Sequence, residues 1–361
     1  MSRGARAQLV VVALSLAVAL ATAGCQKKAA PRPRPPDLAG LSAVPADVTA
    51  VVGFDVARLG DSPLILRMAR LLVERDPDLA AGWQRVASAC QLDLRTQLRS
   101  IVLALRPRGA SGAQPVLSVA TGALSESTLA TCLRSTVGSG GADLSAETIE
   151  GRTVYQLRSG GRVVWLSFVQ AETVALSSDP EFLRAAIGAG PKLADAPPAW
   201  MARASAASPV WAVGVPDARI GLGLVRLTKG ALSGGPAAIA LALDPSAGID
   251  ATLDVVMVSD QDAKQLETLA NQQLPILSMG AQLRGVGPLV AKLTVSRDQA
   301  VVRLRWTLSI AEINQLMSAI DTPAAGDEDA TPLPPPPGTI PDGGVAPAGG
   351  APSAPDAGLG G

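Results

Sequence analysis

The residues that most enzymes use for catalysis are scarce in this chain of 361 residues. It contains no histidine and only three cysteines, Cys25, Cys90 and Cys132. Without histidine there is no Ser-His-Asp triad, no Cys-His dyad and no histidine-containing metal site. Any catalysis would have to rely on carboxylates, serine, lysine or arginine, and these residues form no known catalytic motif. The sequence therefore predicts a protein that is not an enzyme and has no cofactor and no metal.

A few charged residues allow two interpretations. Arg58 and Arg219 follow similar sequences and could bind an anion, or each could pack its stem on a sheet and donate to a carbonyl at the end of an element. The acids Glu74, Asp76 and Asp78 surround a proline and could bind calcium, but they lack the spacing of an EF-hand. A solvated loop between helices is the simpler interpretation.

The balance of charge disfavours nucleic acid as a partner. Basic and acidic residues number 31 each, so the formal net charge is zero. Binding to phosphate needs a basic surface, and stacking on bases needs aromatic side chains, which make up only 2% of the chain. We therefore expect no nucleic acid partner.

The N-terminus has the parts of an export signal. Arg3 and Arg6 precede the apolar run Leu9–Ala21, which is too short to span a membrane. The run leads into Thr22-Ala23-Gly24-Cys25, which resembles the lipobox of bacterial lipoproteins, although leucine is commonest where Thr22 stands. The resemblance implies a signal peptide over residues 1–24 that is removed before Cys25, and a cysteine that carries diacylglycerol and further acyl chains such as palmitate. The alternative is an ordinary secretory signal.

The residues after Cys25 predict a tether and a location. Residues 25–40 contain four prolines and four basic residues, which favour an extended spacer that is either solvated or attracted to anionic lipid. Gln26 replaces the aspartate that retains lipoproteins in the inner membrane of enterobacteria. This residue favours the outer membrane, on its periplasmic or surface face, and a place in the cell envelope.

The C-terminus has the composition of a disordered segment. Residues 322–361 include ten prolines, nine glycines and five acids, with no lysine or arginine and no apolar periodicity. A polyproline ligand over Pro334–Pro337 is the alternative interpretation. The folded part is then residues 41–321.

Four short sequence matches predict that this folded part is duplicated. The matches run in the same order in a first half, residues 41–190, and a second half, residues 191–321. They are listed here in pairs: Val52–Gly60 with Val213–Gly221, Ile101–Pro107 with Ile239–Pro245, Val163–Phe168 with Val301–Trp306, and Ser178–Glu181 with Ser309–Glu312. The first half has about 23 extra residues between its first two matches, and we expect a helical insertion over Leu79–Cys90.

Alternating strands and capped helices predict an α+β fold. Apolar and polar residues alternate over Ile249–Met257 and Val302–Leu308, as in half-buried strands. The pairs Ser178/Glu181 and Ser309/Glu312 predict capping boxes, and Ser259 predicts the start of a helix that reaches Asn271. Strands joined by short turns and followed by helices indicate mostly antiparallel sheets, one in each half, each covered by helices.

The two remaining cysteines predict a disulfide. Once Cys25 is acylated, Cys90 and Cys132 form an even pair in an exported protein. Their bond would attach the helical insertion to the rest of the first half. Two buried free thiols are the alternative.

The start of the first half carries a second, short resemblance. Val44-Pro45-Ala46-Asp47, followed by Val51–Asp55 and Leu59, is similar to the opening of duplicated α+β exported proteins of unassigned function. The resemblance implies a similar fold and no particular activity. We expect a non-catalytic binding or structural module of the envelope, held by its lipid and contacting another envelope protein. A carrier of a lipid or other apolar ligand is the alternative.

The lipid anchor gives the first testable prediction. The variant Cys25→Ser should incorporate no radiolabelled palmitate in the producing bacterium, because the thiol is the acylation site. It should also retain its signal peptide. The variant Cys132→Ser should still be labelled, whereas labelling of Cys25→Ser would refute the anchor.

Overall fold

A computed structural model describes residues 38–75, 88, 93–108, 114–137, 143–159, 162–205, 207–228, 230–282 and 285–321. Several predictions fall outside these residues: the signal peptide, Cys25 and its tether up to residue 37, and the C-terminal tail. Cys90, the acids Asp76 and Asp78, and all but Ser88 of the predicted helix Leu79–Cys90 also lie outside them.

The described residues form one antiparallel sheet of twelve strands. The strands are β1 Ala50–Asp55, β2 Leu98–Leu105, β3 Val116–Gly122, β4 Asp143–Ile149, β5 Arg152–Ser159, β6 Arg162–Gln170, β7 Thr173–Ser177, β8 Val210–Gly214, β9 Pro236–Asp244, β10 Gly248–Met257, β11 Thr294–Asp298 and β12 Val301–Ser309. Their order across the sheet is β11-β12-β10-β9-β8-β1-β2-β3-β7-β6-β5-β4.

The α+β class and the antiparallel pairing agree with the sequence-based prediction, but the expectation of a separate sheet in each half is wrong. The first strands of the two halves, β1 and β8, pair with each other from Ala50↔Gly214 to Phe54↔Val210. This pairing joins the two sets of strands into a continuous sheet. Strands β1 and β8 therefore satisfy each other's backbone N–H and C=O groups, which would otherwise be exposed at a sheet edge.

Two glycines make the close approach of β1 and β8 possible. The indole of Trp211 lies over Gly53, where an added Cβ would stand 2.2 Å from Trp211 Cε2. An added Cβ on Gly214 would stand 2.4 Å from the Cβ of Ala50. Both contacts are shorter than carbon atoms tolerate, so glycine is required at each position for this pairing.

Helices and two 3₁₀ turns connect the strands. The helices are α1 Val56–Leu59, α2 Pro63–Arg75, α3 Leu94–Gln97, α4 Glu126–Val137, α5 Pro180–Ile187, α6 Ala218–Leu227, α7 Asp260–Gln282, α8 Gly287–Val290 and α9 Ile310–Asp321. The first 3₁₀ turn is Leu38–Ala43 and the second is Ala199–Arg203.

One predicted cap is wrong. Asp179, not Ser178, caps α5, because its Oδ1 accepts hydrogen bonds from the backbone N–H groups of Glu181 and Phe182. Pro180 occupies the first helical position, which proline favours, and this places the cap at the residue directly before it.

The two other predicted helix starts are confirmed. The Ser309 hydroxyl accepts from the N–H of Glu312, and the Glu312 carboxylate accepts from the N–H of Ser309, which is a capping box. Ser259 likewise accepts from the N–H of Asp262 at the start of α7. That helix extends beyond the predicted end at Asn271 and includes Pro275.

The sheet has two faces, which we call front and back. The front face carries Val51, Val102 and Val119, and in the first half the first 3₁₀ turn and α5 cover it. Phe182 and Leu183 of α5 are completely or almost completely buried there. The second 3₁₀ turn adds Trp200 and Met201 beside Trp211.

The back face is covered along both halves. In the first half α1, α2 and α4 pack on it, with Ile65 and Ala130 among the contacts. In the second half α6, α7, α8 and α9 pack on it, with Leu266 and Ile313 among the contacts. Leu64 of α2 joins the second-half core, so helix α2 contacts both halves of the sheet.

The four sequence matches fall on the structure unevenly. The first two place β1 against β8 and β2 against β9, which occupy equivalent positions on either side of the sheet centre. The third match aligns β6 with β12, but these strands do not occupy equivalent positions. Strand β12 adjoins β10, whereas β7 lies between β6 and β3, which is the first-half strand in the position of β10. The duplication itself stays a prediction.

The contact between Gly53 and Trp211 gives a prediction about stability. The variant Gly53→Ala should lower the free energy of unfolding by about 1–3 kcal/mol, because the new methyl group overlaps the buried indole. Urea unfolding of the unlipidated Cys25→Ser protein measures this change. Gly190→Ala, at an exposed glycine with open space around it, is the matched control and should change stability by less than about 0.5 kcal/mol. Equal losses in the two variants would contradict the packing argument.

Candidate functional site

Of the three cysteines, the structure describes only Cys132. Cys132 lies in α4 with 5% of its surface exposed. Because Cys25 and Cys90 lie outside the described residues, the lipid attachment and the Cys90–Cys132 disulfide stay predictions.

Arg58 is used inside the fold. Its guanidinium donates to the backbone oxygen of Ala207 at 2.7 Å and to Asp244 Oδ2 at 3.3 Å. Arg58 therefore donates to a carbonyl at the end of an element, which is the second of its two predicted roles. The contacts do not fit the first role, an anion site. Arg219 is exposed, and its backbone N–H donates to Asp217, the residue that caps α6.

A shallow pocket of about 270 Å³ lies at the hairpin between β9 and β10. Asp244 and Asp250 stand directly opposite each other across the two strands and line it, together with Thr307. Partial burial raises the pKa of Asp244, but hydrogen bonds from Ser246 and the charge of Arg58 outweigh it and hold that pKa below its ordinary value. Each aspartate already has an arginine partner, Arg58 for Asp244 and Arg305 for Asp250.

The front face of the second half carries a ladder of ion pairs. Arg303 Nε and Nη2 donate to the two carboxylate oxygens of Asp254 at 2.7 Å each. Arg305 donates to both oxygens of Asp250 at 3.3 and 3.1 Å. The strand register pairs Asp254 directly with Arg303. Arg305 stands opposite Thr252, two residues along β12 from Thr307, and reaches Asp250 diagonally.

This ladder lies on a polar surface that we call the open front face. Its exposed members are Asp250, Thr294, Ser296, Asp298, Arg303, Arg305 and Thr307. The hydrophobic clusters that attach helices to these strands contain their back-face residues, such as Leu304 and Leu308. The front surface that α5 covers in the first half is therefore exposed here. The alternation in β10 and β12 predicts the two strands. The ladder itself was not predicted, although aspartates at alternate positions of β10 and arginines at alternate positions of β12 are its signal.

Buried polar groups in the second half have structural roles. Asp262 is 2% exposed and accepts hydrogen bonds from the Ser233 N–H, the Ser233 hydroxyl and the Ser259 hydroxyl. The bonds from Ser233 are the main cause of its lowered pKa. They fix the loop after α6 to the start of α7.

Glu312 has the largest resolved change among the acids. Its contact with Lys292 is the main cause that lowers its pKa from 4.5 to about 2, and the hydrogen bonds from Ser309 add to the effect. The carboxylate therefore links three segments: the end of β12, the start of α9 and the residues after α8. It is part of the fold's framework and does not face a pocket.

Apolar side chains are exposed on two second-half helices. Helix α6 presents Ile220 and Leu222, and α7 presents Ile276, Leu277 and Met279, each at least 50% exposed. Among the described residues, no helix is both long and apolar enough to cross a membrane. Nor does any group of three or more acids or cysteines in this part of the chain come together in a way that could hold a metal ion.

Comparison with known proteins adds little. Neither any family model nor any curated protein matches the chain. A solved structure described as "Structure of crystal form I of TP0453" is similar, with 13% sequence identity and a TM-score of 0.42. The match covers 78% of this chain and 97% of that chain. A likeness this weak supports no inference about function.

The lowered pKa of Glu312 predicts a pH dependence. Because folding depresses this pKa, the carboxylate stabilises the protein fully above about pH 4.5, and the contribution is lost as the pH falls toward 2. The variant Glu312→Gln should therefore melt at a lower temperature than the parent at pH 6, and the difference should shrink to near zero at pH 2. Thermal melts across this range test it. Glu181→Gln, at the first turn of α5, is the control and should show a smaller difference. A Glu312→Gln difference that is independent of pH would refute the assignment.

Proposed function

We propose that this protein is a lipid-anchored, non-catalytic binding module of the cell envelope, and that the open front face binds a protein partner. The lipobox at Cys25 supports the anchor. The exposed ladder of ion pairs is the observation that carries the binding role.

The ladder presents donors in fixed positions. A guanidinium has five N–H donors, and each pair uses two of them on its aspartate. The remaining donors of Arg303 and Arg305 face solvent, and their side chains are 54% and 59% exposed. Because the bidentate contacts already restrict the arginines, a partner loses less conformational entropy in binding them than it would with free side chains.

The pattern of charge favours a protein over a polyanion. The two aspartates lie on β10 and the two arginines on the adjacent strand β12, so the ladder has no net charge. Hydroxyls from Thr294, Ser296 and Thr307 lie around it. A surface with both signs and many hydrogen-bonding groups suits the polar rim of a protein interface.

The alternative role, a carrier of an apolar ligand, has less support. Such a carrier needs an enclosed apolar space. The pocket between β9 and β10 is open and lined by Asp244 and Asp250, which suit polar groups.

Site-specific crosslinking tests the binding role in the native bacterium. A photoreactive residue at Ser296, which stands opposite Arg303, should form one discrete adduct in the full lipoprotein. The same residue at Thr148, exposed on the distant strand β4, is the matched control and should form none. Adding Arg303→Ala and Arg305→Ala should reduce the Ser296 adduct roughly tenfold, the loss typical of interface hot spots. Adducts of equal yield from Ser296 and Thr148, or no adduct from Ser296, would refute the assignment.

A further inference from the structure

The C-terminal part of α7 leaves a large apolar surface uncovered by the described residues. Helix α7 has 23 residues and is about 35 Å long, whereas the five-residue strand β11 beneath it is about 17 Å long. The first turns pack on the sheet, where Asp262 and Ala263 are buried. The later turns project past β11 and contact α8 instead, where Ser278 Oγ donates to the backbone oxygen of Gly287.

The inner and outer sides of these later turns differ. Leu274, Ser278 and Ala281 are partly buried on the inner side. On the outer side Ile276, Leu277 and Met279 are 56%, 58% and 64% exposed. With Gly280, these outer residues lie within an arc of about 160° around the helix axis. We call them the α7 apolar arc.

This part of the helix also lacks charge. Residues 268–282 include no lysine, arginine, aspartate or glutamate, although charged residues make up 17% of the chain. Charged side chains are costly in the hydrocarbon region of a bilayer, and residues 268–282 carry no such cost. A helix with an apolar face and a polar face can lie at the bilayer surface with its axis parallel to the membrane. On α7 the exposed apolar residues are confined to the last two turns, after the exposed Gln272 and Gln273.

The exposed area favours a bilayer over a second copy of the chain. The three side chains of the arc expose roughly 300 Å² of apolar surface, against about 800 Å² per partner in a stable protein interface. A lipid surface requires no such area and no shape complementarity. A surface this small suffices when another contact already holds the protein near the membrane.

The position of the predicted acylated cysteine supplies that contact. Residues 25–37 connect Cys25 to the first described residue, and 13 residues span at most roughly 45 Å. We propose that the α7 apolar arc docks onto the lipid bilayer to which the chain is anchored. The docking rests on the proposed anchor, and it gives the protein a second membrane contact.

Photolabelling from lipid tests this docking. The full lipoprotein is reconstituted in vesicles of phosphatidylethanolamine and phosphatidylglycerol at a 3:1 ratio that contain a phospholipid with a carbene-generating tail. We expect label on the peptide that contains residues 268–282. The triple variant Ile276→Gln, Leu277→Gln, Met279→Gln should lose label roughly tenfold while its circular dichroism is unchanged.

Met68→Gln is the matched control, because Met68 is 39% exposed on helix α2. The α7 peptide of this variant should carry as much label as the α7 peptide of the parent. Equal labelling of the parent and the triple variant would overturn the proposal. Absence of label from the α7 peptide of the parent would also overturn it.

A second measurement separates the docking from the anchor. The chain that begins at Gln26, which has neither an acyl chain nor a signal peptide, should sediment with the same vesicles at high lipid concentration, and the triple variant of that chain should sediment roughly tenfold less. If the native chain is not acylated in its bacterium, the anchor is refuted. The docking still stands in that case if the triple variant loses sedimentation. An acylated lipoprotein without label on α7 would refute the docking and leave the anchor intact.

Discussion

The pairing of β1 with β8 is the constraint on which the rest of the structure depends. Five residue pairs join these strands, and the pairing turns two sets of strands into one sheet. It requires a glycine on each side: Gly53 admits the indole of Trp211, and Gly214 admits Ala50. Every other strand extends outward from this pair, and helix α2 contacts the cores of both halves. The position of the open front face relative to the rest of the molecule is therefore fixed by two small residues at the sheet centre.

The two faces of this sheet are used differently. The back face is covered by helices in both halves, whereas the front face is covered from the first half as far as β8 and is exposed over β10, β11 and β12. If α7 docks on lipid, the back face of the second half turns toward the bilayer and the open front face turns away from it. The two proposed surfaces then do not compete, because the same sheet separates them. An anchored protein arranged in this way would present its ion-pair ladder to a partner at a set orientation to the membrane.

The sequence allows the local elements to be predicted more fully than the assembly. Alternation in Ile249–Met257 and Val302–Leu308 predicts β10 and β12, and the Ser309–Glu312 box predicts the start of α9, because these signals depend only on near neighbours. The single sheet has no such signal, since strands in remote parts of the chain form its central pair. Pro275 favours a helix end, and α7 passes it because the later turns pack on α8. For Arg58, sequence offers two roles, and only the carbonyl of Ala207 decides between them.

The central position of β1 and β8 also has a consequence for how the chain reaches its folded state. Val210 follows Asp55 by more than 150 residues, so β8, the second pairing partner of β1, becomes available long after β1 does. A chain that emerges from its N-terminus leaves β1 as an unpaired sheet edge during that time, and such edges promote aggregation. The central contact therefore has high contact order, which slows folding. If the chain is exported as proposed, it gains from a chaperone that protects the first half until the second half has crossed the membrane.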